Sequence, residues 1–214
     1  MGLLKRLRQR TMAAVYRPLI SRHNQFIAPY KTDLFRQVQG RVLEIGPGPA
    51  SNLRYMGSVE SWTGIEPNPY MHRFALHQLA EIGVPGEVIN HSAEQLPFED
   101  HSFDFAISTL VLCSVGHPFK VRSEIRRVLR PGGRFLFIEH VAAPRGSQLR
   151  SVQNFIVPVY RFCGDGCYPN RETGSTIQQS GFSAVEFQEF RAPASVLPTV
   201  VAPHIAGSAD TPRS

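Results

Sequence analysis

The sequence predicts an α/β fold built on an open, mostly parallel sheet, and two patterns predict it. Short apolar runs alternate with longer segments of helical spacing, the signature of strands joined by crossover helices. One run, Val42-Leu43-Glu44-Ile45, breaks directly into Gly46-Pro47-Gly48-Pro49, which neither extends a strand nor opens a helix cleanly. In such sheets a ligand sits at the carboxyl ends of the strands, where this turn falls.

The chain has 214 residues, 42% of them hydrophobic, which suits one packed domain with some decoration. Lys and Arg number 23 against 17 Asp and Glu, a net charge of +6. The excess is gathered at the start, in Lys5, Arg6, Arg8, Arg10, Arg17 and Arg22, with no acid before Asp33. A block of this kind favours an anionic surface such as phospholipid headgroups over a nucleic-acid groove, and a basic helix that merely covers a ligand pocket is the competing reading. Leu4, Leu7, Ala14 and Val15 share one helical face, so a first amphipathic helix is expected to end near Pro18 and a second to run toward Gln39. The run Met12 to Tyr16 is too short to span a bilayer or to form a signal-peptide core, and Arg6 stands where a myristoylation signal needs Ser or Thr. Cys113, Cys163 and Cys167 form no Cys-x-x-Cys pair and have no His at ligand spacing, so neither a metal site nor a disulfide framework is expected. The cysteine usage points to a reducing, cytoplasmic setting.

The elements then follow in order. Val59 to Ile65 reads as the second strand and ends in Glu66-Pro67-Asn68-Pro69; Tyr70 to Ile82 carries helical spacing and stops at Gly83. Glu87 to Asn90 is a short third strand, Phe103 to Thr109 a fourth, and His117 to Leu129 a helix. The turn Pro131-Gly132-Gly133 introduces a fifth strand from Arg134 to Val141. The apolar cluster Phe155-Ile156-Val157-Pro158-Val159-Tyr160 with Phe162 is expected either to line an acceptor pocket or to pack as the core face of a crossing helix. Thr173 to Gln179 reads as a helix, Phe182 to Phe190 and Val200 to Ala206 as an antiparallel pair, and 208–214 as a polar, flexible tail.

The residues around the turn decide which ligand is expected. Glycines at 46 and 48 remove the Cβ atoms that hold a ligand off the backbone, although a Gly-Pro-Gly sequence also occurs in ordinary turns. Ser51 stands where a dinucleotide fingerprint needs its third glycine. Glu44 lies inside the strand, where it would repel a pyrophosphate but suits the ammonium end of an amino-acid-like cofactor such as S-adenosylmethionine. Glu66, twenty residues after Gly46, is at the distance from which a carboxylate takes both ribose hydroxyls, and Glu94 in Ser92-Ala93-Glu94 stands where an adenine amino group would lie. As alternatives, Glu66 caps the next helix and Glu94 is an exposed loop acid.

Val42-Leu43-Glu44-Ile45-Gly46-Pro47-Gly48, Glu66, Ser92-Ala93-Glu94, Phe103-Asp104 and Leu129-Arg130-Pro131-Gly132-Gly133 together resemble the class I S-adenosylmethionine-dependent methyltransferases. That resemblance implies a Rossmann-like sheet of seven strands with the last one antiparallel. A closer resemblance, to the methyltransferase-like thiol S-methyltransferases, is carried by Thr109 to Val115, Glu139-His140-Val141-Ala142, Gly164-Asp165-Gly166-Cys167, Arg171-Glu172-Thr173 and Pro203-His204-Ile205. Those proteins methylate hydrogen sulfide and small thiols at membrane surfaces. This chain departs from them at its start, where a short basic segment replaces a hydrophobic anchor.

The expectation is therefore an N-terminal basic region over 1–40, a methyltransferase domain over 41–207 and the tail. The expected cofactor set is Glu44, Gly46, Pro47, Gly48, Asn52, Glu66, Pro67, Ala93, Glu94 and Thr109. The expected reaction moves a methyl group from S-adenosyl-L-methionine to a small apolar acceptor, most simply a thiol, releasing S-adenosyl-L-homocysteine. No metal or nucleic acid is expected, and reversible peripheral membrane contact is. His140, at the end of the fifth strand, is the expected base, with His204 in reserve, because an imidazole can take a thiol proton at neutral pH. A lipid amine, quinone or phenol is the alternative acceptor for N-, O- or C-methylation; nucleic acids and glutamine are not, because the fourth strand ends without the Asn/Asp-Pro-Pro-Tyr element used on them. A non-catalytic membrane-surface adaptor is the remaining alternative.

Overall fold

The computed structural model describes residues 3–213, with side chains at all of these except 3–5, 8, 12 and 14–20. Seven strands form one sheet: β1 (Gly40–Ile45), β2 (Val59–Ile65), β3 (Gly86–Ile89), β4 (Phe103–Thr109), β5 (Leu129–His140), β6 (Ala184–Arg191) and β7 (Pro203–Asp210). Their order is β3-β2-β1-β4-β5-β7-β6, with β7 antiparallel to both neighbours and all other pairs parallel. The order reverses between β1 and β4, so the crevice at their carboxyl ends is the topological switch point where this class of sheet binds ligands.

Helices cover both faces: α1 (Leu3–Phe35), α2 (Pro69–Ile82), α3 (Pro118–Val128), α4 (Gln148–Cys163) and α5 (Thr173–Gln178). Because successive residues of a strand point to opposite faces, β5 sends Phe135 and Phe137 into one core with Val121, Ile125 and Ile177. It sends Leu136 and Ile138 into the other with Ile27, Phe35, Trp62 and Leu79. α2 begins where Asn68 Oδ1 accepts from the Tyr70 N–H at 3.1 Å with Pro69 in the first turn, and ends at Gly83 with φ 78°.

Three expectations change. The two N-terminal helices are one, because α1 continues through Pro18. Packing of Ile27 and Phe35 against the sheet holds its second half in register despite the proline. Of the apolar face, Leu4, Ala14 and Val15 lie outside the described side chains, as do Lys5, Arg8 and Arg17 of the basic block, and Leu7 is exposed. The last strand runs on to Asp210 and Thr211 is buried, so residues 208–210 extend the sheet where a tail was expected. His23, on α1, is buried as well. The apolar cluster on α4 neither lines the cavity described below nor packs in a core, since Phe155 is 86% exposed, Phe162 75% and Val159 60%.

Candidate active site

The end of β1 turns through Gly46 and Gly48 at φ 58° and 53°, values that L side chains rarely adopt. A Cβ at Gly46 would stand 2.6 Å from Val111 Cγ2, so the glycine also lets the loop after β4 close on the turn. Together they bound a cavity of about 350 Å³, within the ~300–1,000 Å³ of small-molecule sites. Gly46, Gly48, Glu66, Pro67, Ala93, Glu94 and Thr109 from the expected set all line it. Glu44, Pro47 and Asn52 do not.

Glu66 is fixed by the backbone on both sides, its Oε2 accepting from the Gly48 N–H at 3.0 Å and its Oε1 from the Asn68 N–H at 2.8 Å. Each oxygen keeps further acceptor capacity, which suits the adjacent hydroxyls of a ribose. Burial pushes this carboxyl up, and the two backbone donors oppose the shift. Glu94 Oε1 accepts from the His117 N–H at 3.0 Å, which ties the loop after β3 to the start of α3.

Glu44 serves the site through another residue. Fully buried, it accepts from Trp62 Nε1 at 3.0 Å and Asn52 Nδ2 at 2.8 Å, and burial pushes it up to about 7. The same amide nitrogen of Asn52 donates to Thr109 Oγ1 on the cavity wall at 3.0 Å. Asn52 Oδ1 is buried and has no partner. An orphaned acceptor here, the glycine turn and the backbone-held carboxylate fit an adenosine cofactor with an ammonium end. Pro47 turns toward Gly64, whose Cβ would meet it at 2.8 Å.

Several cavity residues were not expected. Asn68, Met71, Leu110, Ser114, Gly116 and Asp165 line it, and Leu110 and Asp165 have φ of 60° and 50°. Non-glycine residues held in that region mark a backbone set by its surroundings. The surroundings of Leu110 include Glu139, wholly buried, whose carboxylate accepts from Ser108 Oγ at 2.6 Å, the Val111 N–H at 3.1 Å and the Leu112 N–H at 3.2 Å. Arg171 holds the same loop from the other side, donating to the Leu112 and Val115 carbonyls at 3.3 and 2.8 Å. α1 reaches the opposite rim, where Gln9 Nε2 donates to the Pro67 carbonyl at 3.2 Å and Asn68 Nδ2 to the Gln9 carbonyl at 3.1 Å.

His140 stands behind this wall and not on it. Its Nε2 lies 3.2 Å from Cys167 Sγ, and its Nδ1 is buried without a partner. Cys113, His140 and Cys167 bring their Sγ and ring nitrogen atoms within 4.8 Å of one another, all three residues buried. Sequence spacing gave no sign of this cluster, because the loop after β4, the end of β5 and the loop after α4 carry the three residues to one point. His204 does not line the cavity either and is paired with His23. His204 Nδ1 donates to the Ala202 carbonyl at 2.8 Å, so its Nε2 is the acceptor for His23 Nε2–H at 3.0 Å. Burial pulls His204 down to about 4 and His23 to about 3, so both are neutral at pH 7.

The comparisons with known proteins agree with this geometry. Residues 43–137 match the methyltransferase domain family. The chain is 35% identical over 208 residues to the human thiol S-methyltransferase TMT1B, covering 89% of this chain and 82% of that one. It is 33% identical over 198 residues to human TMT1A, also a thiol S-methyltransferase, covering 87% and 80%. Among solved structures, the YcgJ protein of Bacillus subtilis superposes with a TM-score of 0.71 at 18% identity, over 90% of this chain and 100% of that one. That identity speaks for the fold alone.

Proposed function

We propose that this chain, which belongs to the thiol S-methyltransferase family, moves a methyl group from S-adenosylmethionine to the sulfur of a small apolar thiol. The observation that carries the proposal is the Glu66 carboxylate, held by the Gly48 and Asn68 N–H groups at the mouth of a cavity of cofactor size. In this reading Glu66 takes the ribose hydroxyls, Ala93 and Glu94 take the adenine edge, and Thr109, aligned by Asn52 and through it by Glu44, receives the ammonium group. Pro47 supports the turn by packing toward Gly64.

The cofactor supplies a sulfonium methyl whose positive charge disappears on transfer. The protein's share is then alignment and the exclusion of water, with no covalent intermediate on the enzyme. A thiol with a pKa of ~8.5 gives a few per cent of thiolate near neutrality. Leu110, Val111 and Val115 give the acceptor end an apolar wall, which favours a small apolar thiol over a charged amine. His140 belongs to this reading through the sulfur cluster behind that wall, since the ring engages Cys167 and does not line the cavity.

Reversible contact with an anionic membrane is part of the same proposal. Arg6, Arg10 and Arg22 are exposed on α1, and Val152, Phe155, Val159 and Phe162 form an exposed apolar stripe on α4. Among the described residues no helix is long and apolar enough to cross a membrane.

A panel of thiol, amine and phenol acceptors assayed with a radiolabelled methyl donor tests the function. Label is expected on alkyl and aryl thiols. Transfer to amines or phenols with none to thiols would overturn it.

A further inference from the structure

Cys113 follows the loop that closes the cavity, His140 ends β5, and Cys167 follows the turn that carries Gly164 and Asp165 onto the cavity wall. The two sulfurs and a ring nitrogen of His140 lie within 4.8 Å of one another, and Cys167 Sγ is 3.2 Å from His140 Nε2. Two thiolates and an imidazole bound tetrahedrally to zinc, at ~2.3 Å for sulfur and ~2.0–2.1 Å for nitrogen, stand roughly 3.5–3.8 Å apart. The observed triangle therefore needs only small adjustments to close on an ion.

His140 turns its Nε2 to Cys167, and its Nδ1 is buried without a partner. One further observation ties the cluster to the cavity. Cys113 is also the neighbour of Ser114, a cavity residue whose Oγ is 3.5 Å from Cys113 Sγ. The cluster is thus separated from the acceptor end by a single side chain. Two thiolates would also cancel the charge of a divalent ion, which a buried position requires.

We infer that Cys113, His140 and Cys167 bind a zinc ion behind the acceptor end of the cavity, with a fourth position that the sulfur of the thiol substrate reaches once the Ser114 side chain turns aside. Three protein ligands with one exchangeable position is the arrangement of catalytic rather than structural zinc. The role of the ion rests on the thiol-methylation reading. The acceptor R–SH binds as thiolate and its proton passes to solvent. A sulfur lone pair then forms the new S–CH3 bond as the sulfonium S–CH3 bond breaks, and its electron pair stays on S-adenosylhomocysteine. The product is a neutral thioether, a poorer ligand than the thiolate, and it leaves.

The test is zinc content by mass spectrometry on the full-length protein after dialysis, with cobalt exchanged for zinc to read the ligands. Equimolar zinc and a thiolate-to-cobalt charge-transfer band are expected. Cys113→Ser, His140→Ala and Cys167→Ser should each lose the metal, and Cys163→Ser, at an exposed position, should keep it. S-adenosylmethionine binding by calorimetry on the same samples reports whether each variant is folded. Intact protein that binds S-adenosylmethionine but holds no zinc when it is supplied overturns the site. So does zinc that survives all three substitutions, or a Cys113–Cys167 disulfide in protein purified without reductant. If zinc binds and thiols are not methylated, the functional reading falls and the site stands.

Discussion

The Gly48 N–H donates to Glu66 Oε2 at 3.0 Å, so the turn after the first strand and the acid after the second form one hydrogen-bonded unit. Glu66→Ala removes the acceptor of two backbone N–H groups as well as the proposed acceptor of the ribose. A hydrogen bond to a charged group contributes ~1.5–3 kcal/mol, and ~1.4 kcal/mol is tenfold in affinity. Calorimetry should show S-adenosylmethionine affinity lowered at least tenfold. Unchanged affinity would remove the ribose assignment.

Gly46→Ala tests the turn itself. The new methyl group would meet Val111 at 2.6 Å from a backbone already at φ 58°. Adding the Val111→Ala change relieves the contact and leaves the backbone strain, which costs about 1–2 kcal/mol for a residue with a Cβ. The single variant should lose cofactor binding and melt earlier, and the double variant should recover part of both. A double variant no better than the single one would show that the Val111 contact does not set the cost.

The His23–His204 pair gives a pH dependence with a definite sign. Both are held below the ordinary value of 6.5, at about 3 and about 4, chiefly by burial. A base with a lowered folded-state pKa leaves the unfolded chain with more bound protons, so its contribution is full above about 6.5 and is lost as pH falls toward about 4. Glu44 and Glu139 act oppositely: both are raised to about 7 by burial, and their contribution is lost as pH rises from about 4.5 to about 7. Replacing His23 by Gln should therefore flatten the acid limb of melting temperature against pH and leave the limb above pH 6.5 parallel to that of the parent. An unchanged acid limb would mean that the pair titrates normally.

What was legible in the sequence is what chain neighbours decide. Val42 to Gly48 carries its own strand, break and turn, and Glu66 is reached by a spacing that a strand-helix-strand unit fixes. The packing partners were not legible. His23 and His204 are separated by 181 positions, and Cys113, His140 and Cys167 stand 27 residues apart in sequence, on three elements whose convergence depends on the order of the sheet. Glu44 was placed in its strand, but the sequence does not show that Asn52 and Trp62 occupy its two oxygens. Pro18 misled in another way. A proline rule is local, and α1 runs past Pro18.

The stripe on α4 carries the last prediction, which separates two surfaces proposed for membrane contact. Val152, Phe155, Val159 and Phe162 recur at helical spacing on the face turned to solvent, and burying a Phe or Val side chain contributes about 1.5–3 kcal/mol. The basic residues of α1 act through a screened attraction instead. Changing Phe155 and Phe162 together to Asp should leave the melting temperature close to that of the parent, since neither side chain packs in the fold, and should abolish sedimentation with anionic vesicles at every salt concentration. Removing Met1 to Arg17 should weaken that sedimentation mainly at low salt. It should also lower cofactor affinity, because Gln9 no longer braces Pro67 and Asn68 at the cavity rim. If the α4 variant still sediments like the parent, the stripe is no membrane contact; if the truncated chain keeps full cofactor affinity, α1 is no lid.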